Sequence, residues 1–208
     1  MKLYHFPISP NSRRVIAVLH HLGLECELQV VDLLKGEQMQ PEFLTLNPNH
    51  MIPTLVDGDF VLWESNAIMQ YLCAKVSDNL LYPANPVVKA DISRWQFWQT
   101  AHFGRACGVF IFEYIVKEAL KLGEPDAGEL AKASENFRRF ADILEAHLKG
   151  RDWMVGEHVT LADFSVGSFL DLAETAHYPL EAYVEIPRWY AAIEQLPAWK
   201  SSAPKVLG

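Results

Sequence analysis

The segment from Asn47 to Leu72 constrains the fold most strongly, because a loop, two short strands and the start of a helix follow one another without a break. The β-prone runs Thr54–Val56 and Val61–Trp63 flank Asp57-Gly58, a dipeptide typical of tight hairpin turns. Apolar residues at helical spacing come directly after the second run. The segment therefore predicts an antiparallel hairpin that leads straight into a helix.

The start of this predicted helix carries chemistry suited to a charged ligand. Ser65 stands where an N-cap residue is expected, and Glu64 precedes it. Backbone N–H groups at a helix N-terminus attract a carboxylate, whereas Glu64 attracts an ammonium group. The loop around Ile52 adds further backbone donors and acceptors. We therefore expect a zwitterionic peptide to suit this part of the chain.

Residues 1–78 alternate short strands and helices. In order, they are the strand Lys2–Phe6, the helix Pro10–Leu22, the strand Glu27–Asp32, a short helix at Pro41–Leu44, the hairpin and the Ser65 helix. A strand–helix–strand unit implies a parallel pair with a right-handed crossover, and the hairpin adds antiparallel strands. The order β-α-β-α-β-β-α thus predicts a mixed four-stranded sheet.

A second domain is expected after a proline-containing linker at residues 79–88. Strand signals disappear beyond it, and residues 89–208 are predicted to form an all-helical domain. The predicted helical regions are Lys89–Leu122, Glu129–Leu148, Thr160–Ala173 and Pro187–Gln195. Thr160 and Asp163 have the spacing of a capping box, with Asp in place of the usual Glu or Gln.

Composition and charge exclude several classes of function. The chain has 208 residues and a net charge of −8, which argues against nucleic-acid binding, because phosphate contacts need clustered Lys and Arg. No apolar run approaches the roughly 18 residues of a membrane span, and the N-terminus lacks the apolar region of a signal peptide. The three cysteines form no CxxC pair, which indicates neither a disulfide framework nor a metal site and favours a reducing cytoplasm.

Several motifs occur in the order and spacing of a known family. They are Ser9-Pro10-Asn11-Ser12-Arg13-Arg14-Val15, Pro41-Glu42-Phe43-Leu44, Asn47-Pro48, Ile52-Pro53-Thr54-Leu55, Trp63-Glu64-Ser65 with Ala67-Ile68, the linker prolines and Thr160-Leu161-Ala162-Asp163. Together they resemble the cytosolic glutathione S-transferases over essentially the whole chain. The resemblance implies a thioredoxin-like α/β first domain, an all-helical second domain, glutathione as cosubstrate and a homodimer.

Within the family, the pattern is similar to the serine-type classes theta, delta and phi. In these a Ser after the first strand hydrogen-bonds the glutathione sulfur, and Ser9 matches that position. Ser9 followed by Pro is also a favoured helix start, and the two roles are compatible. Ser12 is the alternative thiolate partner. No cysteine stands at either position, which argues against the cysteine-type classes.

The resemblance also implies the remaining glutathione contacts. They are Gln38, His50, Met51, Ile52, Pro53, Glu64, Ser65 and Asn66, with a cis peptide bond before Pro53. Ile52 would bind the cysteinyl part through its main chain, and Glu64 and Ser65 would hold the γ-glutamyl ammonium and carboxylate. Many members have His where Gln38 stands, and some have Arg where Asn66 stands. Glu64 and Ser65 also fit ordinary helix-start chemistry, and a loop residue such as His50 is usually solvated.

The expected reaction is attack of a glutathione thiolate on an apolar electrophile, without a metal. A helical stripe is the candidate electrophile pocket, formed by Phe103, Ala106, Cys107 and Phe110. Two alternatives remain open at this stage. The same site would serve a glutathione-dependent peroxidase or disulfide reductase, and a transferase-like interaction protein would keep the fold without the chemistry.

Overall fold

The structure, a computed structural model, describes residues 1–204 and divides into two units. The first unit comprises residues 1–79 together with residues 196–204, and the second comprises residues 80–195. The bounds predicted from the sequence, 1–78, 79–88 and 89–208, stay a prediction. The predicted helical domain, 89–208, includes residues 196–204, which the structure groups with the first unit.

The first unit contains four strands and four helices within the described residues. They are β1 (Lys2–His5), α1 (Pro10–His21), β2 (Glu27–Val30), α2 (Pro41–Leu46), β3 (Thr54–Asp57), β4 (Phe60–Trp63), α3 (Ser65–Ala74) and, from the end of the chain, α10 (Pro197–Ser201). Two 3-10 turns, Leu33–Lys35 and Glu37–Met39, lie between β2 and α2. From β1 to α3 the order of strands and α-helices is the predicted one, whereas the two 3-10 turns and α10 are additions to it.

The strands form one mixed sheet in the order β2-β1-β3-β4. β1 runs parallel to β2 and antiparallel to β3, with Tyr4 opposite both Gln29 and Thr54. The hairpin turn lies one residue later than predicted: Gly58 and Asp59 form it, and Asp57 still pairs with Phe60. Gly58 has a φ of +61°, which a glycine adopts without steric cost.

Helices α1 and α3 contact each other, and the core of the first unit lies between them and the sheet. Leu3, Val15, Leu55, Ile68 and Leu72 are completely buried. Each such side chain contributes about 1.5–3 kcal/mol through burial. This core fixes the ends of β1, β3 and α3, from which the candidate site is built.

The second unit is helical throughout its regular structure. Its helices are α4 (Pro86–Trp98), α5 (Gly104–Phe110), α6 (Lys117–Leu120), α7 (Ala127–Leu148), α8 (Leu161–Gly167) and α9 (Glu185–Gln195). The predicted helical region Lys89–Leu122 corresponds to α4–α6, which are joined by π-helical turns at Gln99–Phe103 and Ile111–Val116. The apolar spacing of the sequence does not reveal such turns.

The start of α8 is a completed capping box, as predicted. The Asp163 carboxylate is fully buried and accepts hydrogen bonds from the backbone N–H groups of Met154 and Thr160, each at 2.8 Å. It also accepts from the Trp189 indole at 2.9 Å. Burial raises the pKa of Asp163 to about 6, while these donors act in the opposite direction. Asp163 therefore ties α8 to α9 and to the preceding loop.

Candidate functional site

Ser9 is the N-cap of α1, and its hydroxyl is only lightly engaged. The side-chain oxygen accepts the Ser12 backbone N–H at 3.4 Å, which is longer than the usual range for a hydrogen bond. The residue is half-buried, and no described residue accepts a hydrogen bond from its hydroxyl. A polar group bound at this point would meet an available O–H donor and the positive end of a twelve-residue helix.

Ser12, the alternative thiolate partner, is fully buried. Its hydroxyl oxygen accepts the backbone N–H of Phe6 at 3.2 Å and so closes the turn between β1 and α1. A ligand cannot reach a side chain with no exposed surface. The geometry therefore favours Ser9 over Ser12.

The two arginines of α1 have different surroundings. The Arg13 guanidinium lies over the Trp199 ring, 4.2 Å from its centroid, and donates to the Trp199 carbonyl oxygen at 3.4 Å. It therefore connects α1 to α10 within the first unit. Arg14 instead reaches Ser65 at the start of α3.

The loop before β3 is held by one buried amide. The Asn47 side chain donates to the Met51 carbonyl oxygen at 2.8 Å and to the Thr54 hydroxyl at 3.1 Å. Its own oxygen accepts the Asn49 backbone N–H at 3.0 Å. The Ile52–Pro53 peptide bond that follows is cis, which confirms that prediction. The sequence analysis includes Asn47 in a motif, but it does not predict that the Asn47 side chain holds this loop through hydrogen bonds.

Four predicted contacts lie in this loop with different exposure. Met51 is 63% exposed, Ile52 is half-buried and Pro53 is buried. His50 is exposed and has a φ of +46°, a conformation that is uncommon for a residue with a Cβ. Because β1 and β3 are antiparallel neighbours, Ser9 after β1 and Ile52 before β3 lie at the same end of the sheet.

Glu64, and not Ser65, occupies the N-cap position of α3, which corrects the predicted helix start. Glu64 is exposed and has a φ of +70° and a ψ of 104°. Such a backbone conformation costs about 1–3 kcal/mol for a non-glycine residue and is found most often at functional sites. Ser65 is the first residue of α3 and is 5% exposed. Its backbone N–H is among those that an N-terminal helical turn leaves without a helical partner.

Arg14 links the starts of α1 and α3. Its Nε and Nη2 atoms donate to the Ser65 hydroxyl oxygen at 3.0 and 2.6 Å, and Nη2 also donates to Asn11. The Ser65 hydroxyl lies 3.5 Å from the Asn11 side-chain oxygen. The sequence prediction did not include Arg14 among the site residues. The i,i+3 spacing of Asn11 and Arg14 on a helix with eight buried residues is the signal that points to it.

Two predicted contacts stand on separate segments. Gln38 lies in the 3-10 turn after β2, and its side-chain oxygen is buried without a hydrogen-bond partner among residues 1–204. Asn66 is half-buried in the first turn of α3. Since β2 runs parallel to β1, the segment that follows it starts from the same end of the sheet as Ser9.

The stripe predicted to line an electrophile pocket lies in the core of the second unit. Phe103 and Cys107 are completely buried, and Phe110 is 3% exposed. The rings of Phe103 and Phe110 contact Phe137 of α7 at centroid distances of 5.5 and 5.8 Å. Ala106, at 5% exposed, is the fourth member. Ala106 also lines a cavity together with His102 and Arg105, whereas the other three are core side chains, so the electrophile pocket stays a prediction.

Further chemical features bear on the class of protein. Within residues 1–204, no three His, Cys, Asp or Glu side chains are arranged to hold a metal ion. Each helix of the described chain is too short or too polar to cross a membrane. Burial raises the pKa of Cys73 to about 12, so this thiol is not a candidate nucleophile.

Comparison with known families gives matches to both units. A family model described as the glutathione S-transferase N-terminal domain matches residues 3–80, and one described as the C-terminal domain matches residues 100–197. The matched residues make up most of the chain.

Individual relatives agree with these matches. Glutathione S-transferase 3 of Zea mays is 35% identical over 99% of this chain and 94% of its own length. Glutathione S-transferase D7 of Drosophila melanogaster is 31% identical over 97% of this chain and 88% of its own length. A solved structure of glutathione S-transferase III in apo form superposes with a TM-score of 0.87 at 36% identity, covering 100% of this chain and 97% of the other.

Proposed function

The chain belongs to the glutathione S-transferase family and is a transferase with glutathione as cosubstrate, and we propose that Ser9 stabilises the glutathione thiolate for attack on an apolar electrophile. In this reaction the thiol loses its proton, a carbon–sulfur bond forms and the leaving group of the electrophile departs. The enzyme contributes thiolate stabilisation and proximity.

The interactions available at Ser9 are strong enough to lower the pKa of the glutathione thiol by about two units. A thiol like that of free cysteine has a pKa near 8.5, and lowering it by about two units requires about 2.7 kcal/mol of preferential thiolate stabilisation. A hydrogen bond to a charged group contributes about 1.5–3 kcal/mol, and a helix N-terminus about 0.3–1 kcal/mol. The available hydroxyl of Ser9 at the start of α1 is the observation that carries the proposal.

The γ-glutamyl end of glutathione carries both a carboxylate and an ammonium group. We propose that the Ser65 hydroxyl and the first N–H groups of α3 bind the carboxylate, with Asn66 beside them, and that Glu64 binds the ammonium. The 3.5 Å separation of Ser65 and Asn11 supports this arrangement, because it connects the start of α3 to the helix that bears Ser9.

The remaining parts of glutathione are assigned to the loop before β3 and to the turn after β2. We propose that the main chain of Met51 and Ile52, next to Pro53, pairs with the cysteinyl backbone, and that His50 and Gln38 approach the glycine carboxylate. Gln38 would bind the carboxylate through its side-chain N–H donors, since its side-chain oxygen can only accept hydrogen bonds.

We also propose a cytoplasmic homodimer, as is usual for the family. The three cysteines are free thiols, which is consistent with a reducing compartment. Light scattering coupled to size-exclusion chromatography measures the assembly directly. A particle of twice the 23.6 kDa chain mass is expected, and a monomer at micromolar concentration would contradict the proposal.

Two assays test the proposed function. Retention on immobilised glutathione, with elution by free glutathione, measures binding. Conjugation of an activated aryl halide, compared with reduction of an organic hydroperoxide and of a mixed disulfide, identifies the reaction. We expect the protein to be retained on immobilised glutathione, and conjugation to be the fastest of the three reactions. No retention and no thiol conjugation would contradict the proposal.

A further inference from the structure

Arg14 is a buried cation that reaches from the helix after Ser9 to Ser65, the proposed carboxylate subsite. Arg14 is 4% exposed, and it lies on α1, which begins at Pro10 directly after Ser9. Burial lowers the pKa of Arg14 to about 9, and the charge of Glu64 acts in the opposite direction. A buried charge in this position is costly unless its donors are well used.

The hydrogen bonds between Arg14 and Ser65 fix the role of the Ser65 hydroxyl. A hydroxyl oxygen has two lone pairs and one proton, and a guanidinium can only donate. Because Nε and Nη2 both donate to this oxygen, at 3.0 and 2.6 Å, both of its lone pairs are engaged. The hydroxyl proton is then the only part of the Ser65 side chain that remains to interact with a ligand.

The acceptor now nearest to that proton is a poor one. The Asn11 side-chain oxygen lies 3.5 Å from the Ser65 oxygen, at the long limit of a hydrogen bond. The same Asn11 oxygen also accepts from Arg14. A carboxylate is a stronger acceptor, because hydrogen bonds to ionised groups are shorter and roughly twice as strong. A bound carboxylate would therefore replace Asn11 as the acceptor of the hydrogen bond that the Ser65 hydroxyl donates.

We propose that Arg14 is a positioning residue that fixes the Ser65 hydroxyl as a donor to the γ-glutamyl carboxylate, and so makes the enzyme selective for γ-glutamyl thiols. This inference rests on the proposed function. Arg14 acts through Ser65 and is not a catalytic residue. It also joins the helix that bears Ser9 to the helix that receives the carboxylate, which sets the two ends of glutathione at a fixed spacing.

The planar fork of arginine is required for this role. Its Nε and Nη2 donors point in the same direction from one rigid group, whereas a lysine ammonium is a compact charge on a flexible stem. The substitution Arg14→Lys keeps the charge but loses the paired donors. Arg14→Gln removes the buried charge and keeps one amide donor, so it remains informative where the lysine variant fails to fold.

The experiment compares wild type, R14K, R14Q, S65A and the double variants R14K/S65A and R14Q/S65A. The readouts are KM for glutathione, kcat, and the ratio of kcat/KM for glutathione to that for cysteinylglycine, which lacks the γ-glutamyl group. Arg13→Lys is the matched control, since Arg13 is the neighbouring arginine of the same helix and contacts Trp199 instead.

We expect R14K and R14Q to raise KM for glutathione about tenfold, which corresponds to ~1.4 kcal/mol, with kcat nearly unchanged. The preference over cysteinylglycine should fall by the same factor. In the S65A background each Arg14 substitution should change KM less than about twofold, because the residue through which Arg14 acts is gone. Arg13→Lys should leave KM and selectivity at wild-type values.

A wild-type KM in both Arg14 variants would overturn the inference. So would an equal loss of efficiency with cysteinylglycine, or an Arg14 effect of full size in the S65A background, because each indicates a general structural role. These outcomes leave glutathione turnover by the wild type intact. A wild-type protein that neither binds nor uses glutathione overturns the proposed function, and this inference with it.

Discussion

Two helices of this protein begin with a hydroxyl N-cap, and the two caps are in opposite states. At α8 the Thr160 side-chain oxygen accepts the Ala162 N–H at 3.3 Å and donates to Asp163 at 3.0 Å. Thr160 is 3% exposed. At α1 the Ser9 oxygen makes one long contact of 3.4 Å, and its residue is half-buried. The first cap is saturated, whereas the second has bonding capacity left over.

The residue three positions after each cap accounts for the difference. Asp163 supplies an acceptor for the Thr160 hydroxyl and completes the capping box. Ser12 occupies the equivalent position in α1, but its oxygen is turned inward to the Phe6 N–H. The Ser9 proton is thus left for a ligand. The comparison teaches that a helix-start hydroxyl is a candidate functional group when its partners leave it unsatisfied.

The largest expected effect is on stability, from Asp163→Ala at the saturated cap. The substitution leaves the buried N–H groups of Met154 and Trp189 without an acceptor. We expect the free energy of unfolding to fall by about 3–5 kcal/mol in urea titrations. Asp152→Ala is the control, because that side chain is 92% exposed and its loss should cost no more than about 0.5 kcal/mol. Equal stability of the two variants would contradict the structural role of Asp163.

The next effect is on catalysis, from Ser9→Ala at the unsaturated cap. Loss of one hydrogen bond to a thiolate costs about 1.5–3 kcal/mol, so kcat/KM should fall about 10- to 150-fold. The free energy of unfolding should fall by no more than about 1 kcal/mol, since the cap bond is long. Steady-state conjugation kinetics and urea unfolding measure the two quantities. A Ser9→Ala variant that loses stability but keeps its turnover would show that the Ser9 cap is structural, like the cap at Thr160.

Ser12→Ala sharpens the assignment within α1. The same substitution three residues later leaves the buried Phe6 N–H without its acceptor. We expect a loss of about 1–2 kcal/mol in the free energy of unfolding and an unchanged kcat per folded molecule. The measurement is turnover well below the unfolding midpoint. A large fall in kcat with normal stability would transfer the thiolate role to Ser12.

Thr160→Ala should have the smallest effect. Asp163 keeps its other donors, and only the bonds of the Thr160 hydroxyl are lost. We expect a fall of about 1 kcal/mol in the free energy of unfolding, with no change in glutathione kinetics. Thermal and urea unfolding measure the first, and the conjugation assay the second. Any change in KM for glutathione would show that α8 influences the candidate site.

Local sequence patterns predicted much of this structure. Ser-Pro marks the start of α1, and the spacing of Thr160 and Asp163 marks the capping box. The strand and helix order of the first unit also follows from local periodicity. These features depend on residues only a few positions apart, so their chemistry is visible in the sequence.

Features that depend on distant residues were not predicted. Arg14 and Ser65 are 51 positions apart, and no local sequence pattern predicts the contact between them. The N-cap of α3 is Glu64 rather than the predicted Ser65, and the side chains of these two residues gave no sign of this shift. The stripe that contains Phe103 has the spacing of a helix face, but spacing cannot tell a buried face from an open one. The return of the chain from Leu196 to the first unit is likewise a tertiary event.

The most direct test of thiolate stabilisation by Ser9 is the pKa of the bound glutathione thiol. Ultraviolet absorbance of the thiolate, titrated against pH in the binary complex, measures it for the wild type and for Ser9→Ala. We predict a value near 6.5 in the wild type, about two units below that of a free thiol, and a rise of at least about one unit in the variant. Equal values in the two proteins, or a wild-type value equal to that of free glutathione, would contradict the role assigned to Ser9.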